Sequence, residues 1–451
     1  MIQRTLTVVV ALAAVFASEA AQLKVATFMA DVTPPIGAPL CNGNVSPVKR
    51  IEDPLTARGI VLLGGGKPIV LCAFDWVGIG NAAHDDYREQ LARAVGTTAD
   101  RVAVHTLHQH DAPAADYSTD ELAKTVGLGG YMFDADFARK AIKNVATAAR
   151  HSLEKAKAVT HVGIGSGEVK KVASNRRILG DSGRVKIVRF SSSRNPAAIA
   201  APEGVIDPLV KLISFWDNDK PIASITHYAT HPQSYYGRGD VNPDFPGYAR
   251  AMMEKEVPGA AHIHFAGAGG NVGAGKYNNG NPTNRMILAE RLARGMKLAW
   301  HTQKMRPVTA AEVGWNSIPV SMPVRDTISE QSRMTVLKDE KKKDRERVFA
   351  ARDLVFLRRT KAGHKIDIGC LRVGNARVLY LPGELFVEYQ LAAQRMRPDL
   401  HVAMAAYGQY APGYIGTKIS YGQGGYETGR VSRVAPEVEE LLMDTMRKLL
   451  K

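Results

Sequence analysis

Ile69-Val-Leu-Cys-Ala-Phe74 is a short uncharged run, followed by a helical pattern from His84 to about Val95 and by a second apolar run at Val102-Ala-Val104. Apolar runs too short for helices, alternating with amphipathic helical stretches, argue for layered α/β structure. The same alternation extends in both directions. Gly59-Ile-Val-Leu-Leu63 precedes it, and a helix is expected from about Phe137 to Leu153. Strands are expected at Val185-Lys-Ile-Val-Arg-Phe190, Leu212-Ile-Ser-Phe-Trp216, Ala223-Ser-Ile-Thr226 and Arg377-Val-Leu-Tyr-Leu381. Helices are expected from Met286 to Trp300 and from Pro436 to Leu450. No internal repeat interrupts the pattern, and Ser191 to Gly204, rich in Ser, Ala and Pro, reads as a surface loop. The expected fold is therefore α/β: one large domain over residues 22–451, with mixed β-sheets flanked by helices.

Residues 1–21 read as a signal peptide, with Arg4 as its positive start, Leu6 to Phe16 as its apolar core and Ser18-Glu-Ala20 before cleavage. This implies a secreted or periplasmic protein. No later stretch is long and uncharged enough for a transmembrane segment. Three cysteines, Cys41, Cys72 and Cys370, allow one disulfide at most and no thiolate metal site. The formal charge of +15 favours acidic partners. Neither a helix-turn-helix nor interleaved basic and aromatic residues point to nucleic acid. The mixed charges of Lys338 to Arg347, followed by Val348, Leu354, Val355 and Leu357, predict an exposed helix entering the fold.

The run at Val102 leads into His105-Thr-Leu-His108-Gln-His110-Asp111-Ala-Pro113. If the strand continues, alternation puts His108 and His110 on one face, close enough to share an ion. Neutral imidazole is a common zinc ligand, although histidines at strand ends also serve as hydrogen-bonded structural groups. Three further strand ends carry compatible groups. They are His227-Tyr-Ala-Thr230-His231-Pro232, Pro382-Gly383-Glu384, and the stretch from Tyr407 through Tyr414 to Tyr426-Glu427. Singly, each has a structural explanation: Glu384 as a helix cap, the tyrosines as half-buried filling.

Taken in order, His108-Gln-His-Asp-Ala-Pro113, Ala229-Thr-His-Pro232, Pro382-Gly-Glu384, Tyr414-Ile-Gly-Thr417 and Gly424-Gly-Tyr-Glu427 resemble the catalytic domain of the neutral/alkaline non-lysosomal ceramidases. Asp31-Val-Thr-Pro-Pro35 and Ser174-Asn175-Arg176 extend the resemblance over nearly the whole chain. It implies a neutral-ceramidase-like fold and a zinc-dependent amidase that cleaves the N-acyl bond of ceramide. Carried across motif by motif, it implies His108, His231, Glu384 and Tyr426 as ligands of Zn2+. It also implies His110, Arg176 and Tyr414 as catalytic residues, with Asn175, beside Arg176, binding substrate. Zinc with a mixed nitrogen and oxygen shell activates water near neutral pH, His110 would shuttle its proton, and Arg176 would hold an oxyanion. His105, His227, His262 and His264 are expected as core or supporting groups.

Two departures bear on substrate. Where the family has a serine assigned the nucleophile's role, this chain has Gly273, within Gly269-Gly-Asn271-Val-Gly273-Ala-Gly275-Lys276. Covalent serine catalysis at that position is excluded, whereas metal-activated water is not. The loop is expected to offer backbone N–H groups, Asn271 and Lys276 to a substrate. Its likeness to a nucleotide P-loop fails at Tyr277, where a Ser or Thr is required. The family's C-terminal β-sandwich domain has no counterpart after the tyrosine motif, so lipid docking that depends on it is not implied.

The leading expectation is an exported zinc-dependent hydrolase of an amide bond, N-acyl and ceramide-like, acting on a lipid or small molecule. The rival is a zinc enzyme on the same scaffold acting on an acidic carbohydrate or glycoconjugate, for which the positive charge and the polar loop speak. A non-catalytic secreted binding protein is the reading the missing serine supports. A long apolar groove beside His108 would favour lipid, and a basic, aromatic-lined cleft would favour sugar.

Overall fold

The computed structural model describes residues 22–451. The signal-peptide reading lies outside the described residues. Ile69–Phe74 is buried at every position because it is an inner strand of a five-stranded sheet. Across that sheet the order is Val102–Thr106, Ile69–Phe74, Thr56–Leu63, Lys24–Asp31, Lys157–Ala158. Its first two strands are parallel and the rest pair antiparallel. A parallel pair needs a crossover connection, and the helix Asn81–Val95 lies within it.

Two more sheets repeat this plan. One orders Ala261–Ala266, Lys220–Tyr228, Leu209–Asp217, His161–Glu168 and Lys304–Pro307, and its parallel pair, Lys220–Tyr228 with Ala261–Ala266, is bridged by the helix Asp244–Glu256. The other orders Val313–Val320, Ile366–Val373, Ala376–Tyr380 and His401–Ala405, with the helix Val387–Met396 bridging its last two, parallel strands. Strand alternation then divides the apolar residues between two kinds of core. Ile60 and Leu71 of the first sheet, Ile225 and Phe265 of the second, and Val378 and Ala403 of the third pack into one shared core. The opposite faces pack on helices: Cys72 and Phe74 with Tyr87 and Ile142, Val210 and Leu212 with Leu288 and Leu292, Ile368 and Cys370 with Leu442 and Met446.

In each sheet the parallel pair lies at one edge, and the three edges are tied together at their carboxyl ends. Thr106 N–H donates to Tyr407 O (3.0 Å), and Ala406 N–H donates to Ala266 O (2.9 Å). In α/β proteins ligands bind in the crevice beyond the carboxyl ends of parallel strands. Here three such ends open onto one place.

The mixed α/β architecture agrees with the sequence reading, and the corrections are local. The helix expected through Lys338–Arg347 is two helices, Glu330–Lys338 and Asp344–Lys361. Asp339 leaves helical geometry (φ −79°, ψ 100°) and its carboxylate accepts from Lys341 N–H instead. The loop Ser191–Gly204 contains a short helix, Pro196–Ala200, with Asn195 as its N-cap and Pro196 in its first turn. The three cysteines are buried and free, so no disulfide forms among them. No helix of the described residues is long and apolar enough to cross a membrane.

Candidate metal centre and active site

The strand Val102–Thr106 holds His105 but ends before His108 and His110. Alternation therefore does not place His108 and His110. His108 instead adopts a left-handed backbone (φ 68°), with its N–H bound to Trp76 O at 2.8 Å. A β-carbon pays steric strain in this region, and such strain gathers at functional sites. The turn packs the His108 ring against Tyr407 (4.6 Å, nearly parallel) and 4.8 Å from that of His110.

The second parallel pair delivers His231, whose N–H donates to Val272 O at 2.9 Å. The third delivers Glu384, after Gly383 (φ 64°), in a two-residue parallel ladder with Tyr414 and Ile415. His108, Glu384 and His231, each following a strand of a different large sheet, thus meet in a buried cluster.

The hydrogen bonds around these residues fix which atoms face the cluster. His108 Nδ1 lies 2.6 Å from Val77 O, and His231 Nδ1 lies 2.7 Å from Gly269 O. Each Nδ1 must carry a proton to satisfy its carbonyl, so in the neutral ring the Nε2 lone pair faces the cluster. Burial first, and then the charge of Arg176, hold His231 down at about 4, so it is neutral at pH 7. Both Nε2 atoms lie 3.2 Å from Glu384 Oε2. Neither His108 Nε2 nor Glu384 Oε2 has a hydrogen-bond partner. Buried polar groups are rarely left in this way, and three lone-pair atoms facing one another repel unless a cation lies among them. The arrangement fits a divalent metal. His110 could also join, since nitrogens of His108, His110 and His231 lie within 4.8 Å of one another.

Tyr414 is the phenol whose oxygen lies beside His231 Nε2. It sits 3.2 Å from His231 Nε2, while Arg176 Nη1 donates to it at 3.2 Å. Tyr426, expected from the motif as the ligand, lies one ring further out at 5.7 Å from the Tyr414 ring and is 44% exposed. Burial and the Glu384 charge push the Tyr414 phenol well above its ordinary pKa, so without a cation it stays protonated. Arg176 is buried; burial works against its charge, but Tyr414 and Glu427 more than offset that. Glu427, fully buried, pairs with Arg176 (3.3 Å) and with Arg177 (3.2 Å). The sequence reading assigned Glu427 no role, although it stands next to Tyr426 in the quoted motif. Tyr410, likewise unassigned, donates to the other oxygen of Glu384 at 3.2 Å.

The residues expected to bind substrate are placed differently. The Asn175 amide donates to Val205 O and accepts from Arg177 N–H. Asn271 accepts from Val387 N–H and donates to Glu388, holding the start of the helix Val387–Met396. Lys276 Nζ donates to Ile199 O and Ala201 O at the end of the short helix. Gly273 pairs with Ser174, and a β-carbon there would come 3.2 Å from Ser191 Oγ. None of the four lines the cavity. Two pockets, of about 260 and 230 Å³, meet at His110, Tyr236, Tyr414 and Tyr426. The first reaches His108 and Glu384, the second His231 and Arg176. Of the supporting histidines, His105 binds Ala406 O, His262 binds Ser224, His264 binds Thr226, and His227 is buried, so all four belong to the interior.

The class is thus a three-sheet α/β protein with a buried nitrogen and oxygen donor cluster at the junction of its sheets. The fold is that of the neutral ceramidases. It is similar to the solved structures of a ceramidase complexed with C2 and of the neutral ceramidase from Pseudomonas aeruginosa. Each has a TM-score of 0.71 and 17% sequence identity, covering 95% of this chain and 75% of the other. No protein-family model and no curated protein matches the sequence.

Proposed function

We propose that this chain is an exported metal-dependent hydrolase that cleaves an amide bond, with zinc as the metal. The observation that carries the proposal is the convergence of His108 Nε2, His231 Nε2 and Glu384 Oε2, of which His108 Nε2 and Glu384 Oε2 have no hydrogen-bond partner. Tyr414 completes the donor set, in the place the motif gave to Tyr426, because its oxygen is the one beside His231. Bound zinc supplies a Lewis acid that polarises an acyl carbonyl and makes water acidic near neutrality.

The remaining work falls to the protein. Burial, then the imidazoles of His108 and His231, hold His110 well below its ordinary pKa. It is therefore a neutral base at the pocket, with an unpartnered Nδ1, suited to take a proton from water and return it to the leaving nitrogen. Arg176 Nη1 offers a fixed charge beside the Tyr414 oxygen, where negative charge develops on the carbonyl oxygen. Tyr426, on the outer side of Tyr414, forms a wall for the substrate. Gly273 excludes a serine nucleophile at its position, and attack by water needs none.

Ceramide-like N-acyl compounds are the first substrates to try, since the fold neighbours are ceramidases. The basic, aromatic lining of the pocket favours a second reading, a polar acidic conjugate over two long acyl chains. Turnover of N-acyl substrates by the purified protein, abolished by chelation and restored by zinc, is the expected result. Turnover that survives exhaustive chelation would overturn the proposal.

A further inference from the structure

The pocket beside the donor cluster has an arginine wall that none of the chemistry above uses. Arg345, Phe349 and Arg352 follow one another at helical spacing in Asp344–Lys361, on one face of that helix, and all three line the pocket that holds His108 and Glu384. The guanidinium carbons of Arg345, Arg352 and Arg430 lie 5.5, 5.6 and 5.8 Å from the centre of the Phe349 ring. Three cations thus surround one aromatic ring. Stacking stabilises each of them but does not cancel their mutual repulsion.

Arg352 is the most telling of the three. It is 6% exposed, yet among the described residues it has no hydrogen-bond acceptor and no carboxylate partner, and its other stacking contact is with Tyr410 at 5.3 Å. Nearby Arg433 shows the contrast: it is as deeply buried, but it is paired with Asp353 at 2.8 Å and with Ala411 O at 3.2 Å. The fold satisfies one of these arginines and leaves the other facing the cavity. Among the described residues, Glu384, already committed to the histidine cluster, is the only acidic residue lining this pocket. The Arg352 N–H groups open onto the cavity and meet no acceptor among the described residues, and the planar fork matches a two-oxygen anion.

We infer that the substrate carries an oxyanion group, a carboxylate or a sulfur or phosphorus oxyanion, which binds Arg352 with Arg345 and Arg430 around it. Tyr410 sets the spacing. Its hydroxyl touches Glu384 while its ring lies under Arg352, so the anionic group sits about one tyrosine away from the bond that is cut. This deepens the hydrolase proposal and rests on it for the location of the scissile amide. The anion site itself stands on Arg352 alone.

Calorimetric titration of the metal-loaded protein with N-acetylglycine, N-acetyltaurine and neutral N-acetylethanolamine tests the inference. At least one of the two anions should bind tenfold or more tightly than the neutral compound, and which of them does tells carboxylate from sulfonate recognition. In Arg352→Gln that ratio should fall below about twofold, and in Arg345→Gln, on the exposed rim, it should fall about threefold. Higher salt should reduce the ratio in the wild type. An anion-to-neutral ratio near one, or a ratio unchanged in both variants, overturns the inference. So does a ratio lost in His231→Ala but kept in Arg352→Gln, because the anion would then sit on the metal. Arg352-dependent anion binding without any amide turnover would support this site while refuting the hydrolase proposal.

Discussion

The donor cluster and the glycine-rich loop lie side by side in this molecule, yet they treat their polar groups in opposite ways. In the cluster, His108, His231 and Glu384 converge, and His108 Nε2 and Glu384 Oε2 carry lone pairs that no protein group satisfies. In the loop, Asn271 and Lys276 spend their polar atoms on backbone and side-chain groups of their own fold. The difference separates residues that hold something foreign from residues that hold the protein. Side-chain type does not reveal it, because an asparagine beside an active site and one capping a helix look the same in a sequence. The hydrogen-bond ledger does reveal it.

The largest effect should come from the unsatisfied side. Glu384→Ala should bring amide hydrolysis below detection, at least about a thousandfold down, without loss of fold, since it removes a donor and relieves repulsion. A melting curve with an activity assay checks both halves. On the satisfied side, Asp75 forms a buried two-point pair with Arg250 (2.8 and 2.7 Å) and accepts from Thr56 N–H and Oγ1. Asp75→Asn should cost about 3 kcal/mol in denaturant unfolding, the range for breaking a buried pair.

The same pair predicts a pH dependence. Burial raises the Asp75 carboxyl, but Arg250 and the Thr56 hydrogen bonds bring it below the ordinary value of 3.8. Its folded pKa is depressed, so its stabilisation is present above that value and is lost as pH falls through the lower, folded one. Acid titration of unfolding should show this loss below about pH 4 and its absence in Asp75→Asn.

Arg176→Gln should lower kcat by about a hundredfold with little change in KM, the signature of a lost transition-state contact. A change confined to KM would move Arg176 into ground-state binding. Asn271→Ala should cost about 2 kcal/mol of stability, by stranding Val387 N–H and Glu388, and leave KM within about twofold. A large rise in KM would return Asn271 to the substrate. Gly273→Ser is the smallest test. The added atom meets Ser191 Oγ at 3.2 Å, which needs only a small shift, so stability should change by less than about 1 kcal/mol.

Much of the architecture was legible in the sequence, because short buried strands and amphipathic helices write their periods directly. Ile69–Phe74 was read to the residue, and the helix after it was read to its end at Val95 but from His84 and not from its start at Asn81. The strands Lys24–Asp31 and His161–Glu168 were not, because the first mixes exposed polar ends with apolar ones and the second alternates with glycines that pack against a helix backbone. At the site, His108, His231 and Glu384 stood out as metal-compatible groups at strand ends. Their grouping came from the family resemblance and not from the residues themselves, because the convergence depends on three sheet edges meeting and on a left-handed turn at His108. The choice between Tyr414 and Tyr426 was equally hidden, since both stand in tyrosine-rich loops. Arg352 was missed because it follows a charged stretch that reads as solvated, although Arg345, Phe349 and Arg352 at helical spacing were a visible sign of one face.

The central claim is that the unpartnered lone pairs are a metal site. Equilibrium dialysis of the purified protein against zinc, with metal analysis, tests it directly in the wild type and in His231→Ala. One tightly bound zinc per chain, lost when His231 is replaced in a protein that still melts cooperatively, is the predicted result. A folded wild-type protein that binds no stoichiometric metal, or one whose metal is unaffected by losing His231, would contradict it.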